Sequence, residues 1–181
     1  MGQRRIKIRL SESSVRNAIN ELNQYKEEIQ SKAQEYVNRL SEMGIQTAKG
    51  NVGNFGRYIV FSKEIEPNKY GCKSIILATE TGKIVSKWQT KDGIKSVDVS
   101  PLLMAEFGSG HRAQNPENVP GVGQGTFPGQ EHAEDPSGWY WKDLDGNLHH
   151  SYGVTPTMPM YKALVEMETN AMKIAKEVFG Q

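Results

Sequence analysis

The chain has 181 residues, 36% of them apolar, and a formal net charge of +1, with a mean hydropathy of -0.61. That length suffices for one domain with a core, or one domain with a long excursion, and the low apolar content suggests exposed loops or a surface completed by partners. The near-neutral charge supplies no basic stripe for a nucleic-acid backbone, the lone Cys72 excludes a disulfide framework or a cysteine-rich zinc site, and no run approaches the roughly 20 apolar residues of a membrane helix.

The N-terminus is basic but lacks the apolar core of a signal peptide. Gly2 invites a myristoylation reading, which Ile6 rejects by standing where Ser or Thr is needed. The expectation is a protein made soluble in a cytoplasm. Arg4 to Leu10 alternates, with Ile6, Ile8 and Leu10 on one side and Arg5, Lys7 and Arg9 on the other. That is the period of a half-buried strand. Ser11 then opens a helix, with Ser13 or Ser14 as alternative caps. Val15, Ala18, Ile19, Leu22, Ile29, Ala33, Tyr36, Val37, Leu40 and Met43 form one apolar stripe along it. Gly44 is expected to end it. So long a stripe needs a long partner: a sheet, another helix or a neighbouring subunit.

From Ile45 the period changes. Strands are expected around Tyr58–Phe61, Cys72–Thr79, Ile84–Gln89 and Ile94–Val99, separated by turns at 67–71, 80–83 and 91–93. Short connections favour an antiparallel meander covered by the long helix. Ser100-Pro101 reads as an N-cap followed by proline at the first helical position, and Gly108 stops that short helix. Glu106 lies within it, as a surface carboxylate, an interface contact or a cap for the glycine loop that follows. Residues 108–138 have little periodicity and much Gly and Pro. They read as an arm of a single domain, mobile alone and ordered against a partner.

Trp139, Trp141 and Leu144 precede Asp145-Gly146, and Leu148, His150 and Tyr152 follow it. Asp-Gly between such runs signals a tight hairpin turn, where Gly accepts positive φ. Gly153 breaks the strand. Pro156 and Pro159 exclude a helix interior but suit a first turn, so the last helix should begin near Thr157 to Met160 and run to Phe179. The fold class is α+β: an antiparallel sheet packed by a long N-terminal helix and a C-terminal helix, with a Gly/Pro-rich loop.

Chemical motifs are weak. Gly121, Gly123 and Gly125 lack the flanking strand, helix and Lys-Ser or Lys-Thr of a phosphate loop. His111, His132, His149 and His150 lack metal-site spacing, and the adjacent His149 and His150 point to opposite faces of a strand. Asp143 and Asp145, with Glu134 and Asp135, offer paired carboxylates without a nucleophile–base pair. No cofactor and no metal are expected.

Two segments carry a resemblance. Trp139-Tyr140-Trp141, the Asp-Gly turn, and His150-Ser151-Tyr152-Gly153-Val154-Thr155-Pro156-Thr157-Met158-Pro159-Met160 lead into an amphipathic helix. Upstream, Met104-Ala105-Glu106-Phe107-Gly108-Ser109-Gly110 is similar to an Glu-Phe-Gly-Thr-Gly segment. Together, over roughly Ser100 to Gly180, the chain resembles the tail-completion, or head–tail joining, family of tailed bacteriophages. Ser109 stands where Thr is commoner. Gly50-Asn51-Val52-Gly53 stands where the family often has Pro-Val-Asp-Thr-Gly-Leu. The resemblance implies a structural virion protein at the neck, without catalytic site or cofactor, assembled in the host cytoplasm. It also implies a ring of identical subunits whose partners are itself, portal or connector proteins and tail proteins, with neither membrane nor sequence-specific nucleic acid among them. The residues it marks as oligomer or partner contacts are Glu106, Phe107, Gly108, Gly110, Trp139, Trp141, Tyr152 and Pro156. The alternatives are another morphogenesis protein, such as a tail terminator or minor capsid protein, or a small hydrolase using the His/Asp cluster at 143–150.

Overall fold

A computed structural model describes residues 11–68, 71–113 and 135–180. The strand expected at Arg4–Leu10, most of the 108–138 arm, the 121–125 glycines, His132 and Glu134 lie outside the described residues. The chain is α+β, with a long N-terminal helix, antiparallel sheets and a C-terminal helix. In order come α1 (Glu12–Asn51), a 3-10 turn (Gly53–Tyr58), β1 (Ile59–Asn68), β2 (Gly71–Glu80), β3 (Ile84–Thr90) and β4 (Gly93–Val99). Then follow α2 (Pro101–Phe107), a second 3-10 turn (Gly110–Arg112), β5 (Trp139–Lys142), β6 (Leu148–Ser151) and α3 (Pro159–Phe179). These elements make two compact units. α1, β1, β2 and α3 each contribute residues to both.

One unit holds α1 up to Gly44, residues 63–76 of the first two strands, and α3 from Glu166 onward. Ser11 caps α1 as expected, its Oγ accepting the Ser14 N–H at 3.3 Å. Gly44 does not end this helix, which runs seven residues further to Asn51. A Cβ at Gly44 would lie 2.6 Å from Met167 Sδ and 2.9 Å from Ile76 Cδ1. The glycine is there for close packing of neighbouring elements, and helical hydrogen bonding continues across it. Ile174 and Val178 are buried in this unit, Tyr36 meets the Phe179 ring at 5.9 Å, and Arg39 pairs with Glu177. The buried Ser41 hydroxyl lies 2.7 Å from the Val37 carbonyl oxygen and 2.6 Å from Ser74 Oγ, which satisfies its polarity.

The other unit holds residues 45–62 and 77–165. Its core includes Ile45, Ala48, Val52, Ile59, Phe61, Ala105 and Ala163, with Pro101 and Pro159 fully enclosed. The expected single meander is two sheets. β1 pairs with β2, and a separate four-stranded sheet has the order β4-β3-β5-β6. β3 and β4 form the local hairpin from Ile84↔Val99 to Thr90↔Gly93, while the other side of β3 takes β5 through Gln89↔Lys142. β5 and β6 pair from Trp139↔Ser151 to Lys142↔Leu148. A meander rule follows chain proximity, whereas β3 found its second neighbour some fifty residues on.

Candidate functional site

The two segments that carry the resemblance meet in one place, at the end of α2. Ser100 caps α2 with its Oγ accepting the Leu103 N–H at 3.1 Å, and Pro101 stands in the first turn. Glu80 supports the same end: it accepts the Leu102 N–H at 3.2 Å and also meets the Ser100 hydroxyl and Lys83. The carboxyl of Glu80 is lowered from its ordinary value; partial burial opposes the shift, and the bonds from Lys83, Ser100 and Leu102 outweigh it. At the other end Gly108, at φ 70°, closes the helix by donating to the Met104 carbonyl at 3.0 Å.

Beyond Gly108 the backbone joins the segment that follows β6. Ser109 N–H donates to the Val154 carbonyl at 2.9 Å, and Val154 N–H donates back to the Ser109 carbonyl at 3.1 Å. Ser109 Oγ, in a buried residue, accepts the same Val154 N–H at 3.0 Å. Arg112 N–H donates to the Tyr152 carbonyl at 3.2 Å, and the Arg112 guanidinium stands 5.8 Å from the Tyr152 ring centroid. At Gly153, at φ 98°, a Cβ would overlap the Ser109 carbonyl. Only glycine permits so close a backbone crossing. Pro156 packs on Gly108, and the Trp139 ring packs on Gly110.

Glu106 completes the junction. It is a helix cap across the fold, with Oε2 accepting the Met160 N–H and Oε1 the Tyr161 N–H, each at 2.9 Å. A carboxylate there satisfies two amides that the first turn of α3 leaves unpaired and complements the positive end of its dipole. This corrects the expectations of a plain surface carboxylate and of a cap for the glycine loop. α3 begins at Pro159, within the expected range, and Met158 before it is held at φ 52° with its N–H on the Ala105 carbonyl at 3.0 Å. Ala105 also accepts Thr157 N–H at 2.8 Å.

Six of the eight marked residues therefore converge: Glu106, Gly108, Gly110, Trp139, Tyr152 and Pro156. Phe107 is half-buried at the end of α2. Trp141 does not join them; its ring stacks on His149 at 4.6 Å. Ser109, Gly153 and Ala105 are central to the junction; all three lie within the segments that carry the resemblance, and Gly153 alone also carried a local signal, as a strand break.

The hairpin turn differs from the expected tight pair. Asp143 N–H donates to the Asn147 carbonyl and Gly146 N–H to the Asp143 carbonyl, each at 3.1 Å. Gly146 has φ 87°, whereas Asp145 has no positive φ, so the loop carries three residues between Asp143 and Asn147 with glycine in the left-handed place. Asp143 holds this loop, its carboxylate accepting from His149 Nε2 at 2.8 Å, Asn147 Nδ2 at 3.1 Å and the backbone of Asp145 and Asn147. The bond from His149 leads the causes that bring the Asp143 carboxyl down to about 2. His150 points the other way, stacking on Tyr140 at 4.3 Å and donating to the Ser137 carbonyl at 2.7 Å. The opposite-face expectation for the two histidines agrees with these contacts. The donors around Asp143 bind it into the turn, which leaves it poorly placed as a general base. Among the described residues no three His, Cys, Asp or Glu side chains cluster as metal ligands, and no helix is long and apolar enough to cross a membrane.

Comparison with protein-family models, with curated proteins and with solved structures finds no match, so the residues above carry the functional reading.

Proposed function

We propose that this chain is a structural component of a tailed-phage or prophage virion, acting at the neck to join head to tail through a ring of identical copies. The observation that carries the reading is the junction itself. The Glu106–Gly110 and Tyr152–Pro156 segments, which bear the resemblance, are paired backbone to backbone and serve one another as a built feature. Large apolar side chains left exposed, among them Val15, Leu22, Ile94 and Leu148, suit a protein whose surface is completed by other chains. A joining protein must be soluble before it meets its partners, so single contacts should be weak and gain strength once several copies are held together. A monomer or small oligomer in dilute solution and a closed ring on the particle follow from this. The role is structural, without catalysis or cofactor. The experiment is electron microscopy of lysates made without this protein. Filled heads and free tails are expected, and normal joined particles would overturn the reading.

A further inference from the structure

Among the described residues four strands have a neighbour on one side alone: β1 and β2 of the two-stranded sheet, and β4 and β6 of the other. An edge strand presents unpaired backbone groups that can take up a further strand. The four edges differ in charge. β2 carries Lys73 and Glu80, β4 carries Lys95 and Asp98, and β6 has none of Asp, Glu, Lys or Arg. Only β1 holds more acid than base, with Glu64 and Glu66 beside Lys63. Glu64 and Glu66 alternate on the exposed side of β1, while Lys63 and Ile65 are half-buried on the other. Lys63 is already engaged, its Nζ lying 2.5 Å from Asn38 Oδ1 and 2.9 Å from Glu42 Oε1. Glu66 has Lys73 at 3.6 Å, both side chains in solvent.

The sequence ahead of α1 is the complement of this edge. Residues 4–10 carry Arg4, Arg5, Lys7 and Arg9 and no acid, with Ile6, Ile8 and Leu10 on the alternate positions. In an antiparallel pairing with Lys7 opposite Glu64, Arg5 falls opposite Glu66 and Ile6 opposite Ile65. One register thus matches charge on one face and apolar surface on the other. A second β1 is a poor occupant, since pairing through this stretch would set its acids against the same acids. Chain length decides which copy gives the segment. The bonds of Lys63 place this part of β1 beside Asn38 and Glu42, and α1 rises about 40 Å from Ser11 to Asn38. Lys7 stands four residues before Ser11, and so within about 14 Å of it even when fully extended. A chain cannot bring its own Lys7 to its own Glu64.

We infer that residues 4–10 of one copy add as an antiparallel strand to the β1 edge of the next copy. Each chain gives its segment at one place and receives another at β1, which makes the contact head-to-tail, the kind that closes into rings. The inference rests on the ring reading above and names its contact.

The test uses two full-length charge-reversal variants, Arg5→Glu/Lys7→Glu on the segment and Glu64→Lys/Glu66→Lys on the edge, each checked for fold by circular dichroism. In sedimentation velocity up to the solubility limit, wild type should form species larger than dimers, and each variant alone should lose them. An equimolar mixture should recover them, because the acidic segment of one variant meets the basic edge of the other, and the reverse pair is native. A monomeric wild type, a folded variant that associates as wild type does, or a mixture that recovers nothing would each overturn the inference. Cross-linking fixes the register and stands even where the edge variant fails to fold. Lys7→Cys/Glu64→Cys in a Cys72→Ser background should give, on oxidation, a ladder of disulfide-linked chains on a non-reducing gel. No cross-link, or a disulfide closed within one chain, would contradict exchange between copies. These measurements on the pure chain read the contact, and particle joining reads the neck role, so either can fail alone.

Discussion

At the junction, the Ser109 carbonyl crosses Gly153, Pro156 sits on Gly108, and Glu106 holds two amides of α3. On the first half of α1, Val15, Ile19 and Leu22 lie exposed with their apolar surface still open to water. The junction is determined within the chain, by backbone groups that have no room to adjust. The open stripe is not, since exposed apolar surface adds little to the stability of one copy and gains only when covered. Substitution should therefore destabilise the first region and leave the second folded.

The largest expected effect is at Gly153. Gly153→Ala puts a methyl group against the Ser109 carbonyl in a left-handed backbone conformation, and should destabilise the chain by about 3 kcal/mol or more. Thermal unfolding checks it; an unchanged midpoint would mean that the crossing relaxes freely. Glu106→Ala removes the shared cap of α3 and should lower stability by about 1–2 kcal/mol, with Glu106→Gln recovering part of it. Urea unfolding of the pair measures the difference. Gly146→Val, at the left-handed place of the hairpin loop, should be weaker than Gly153→Ala at roughly 1–2 kcal/mol, because among the described residues only Gln89 Oε1, at 3.8 Å, stands near the new side chain.

A pH titration separates the hairpin loop from both regions. Asp143 has its carboxyl depressed from 3.8 to about 2 in the folded chain. The stabilisation it gives is therefore present above the ordinary value and is lost as pH falls through about 2. Carbon-detected NMR of the Asp143 carboxyl should show the low midpoint, and His149→Ala should raise it. Smallest of all is the effect of Leu22→Glu on the stability of a single copy, expected within about 0.5 kcal/mol. A large loss there would show that the stripe is already covered within the chain.

Much of the secondary structure was legible because its signals are local. Ser11, Ser100-Pro101, Gly108 and Pro159 mark helix ends through their own backbone preferences, and the alternation of Ile84 to Val99 marks two strands. What was not legible depended on residues far away. Gly44 reads as a helix stop until Met167 and Ile76 are seen against it. Glu106 reads as a surface acid until the amides of Met160 and Tyr161 arrive, more than fifty positions on. The pairing of β3 with β5 likewise has no local signature. The candidate site was half legible: the resemblance marked the segments that meet, while the bonds that join them, from the Ser109 backbone and Oγ to Val154 and from Thr157 and Met158 to the Ala105 carbonyl, link residues far apart in the chain, which no local pattern announces.

The head–tail joining role is tested most directly by locating the chain in purified particles, with antibody-labelled electron microscopy and quantitative mass spectrometry of copy number. The account predicts label confined to the head–tail junction and a fixed copy number compatible with one ring. Particles free of the chain, or label spread over the head shell or at the far tip of the tail, would contradict it.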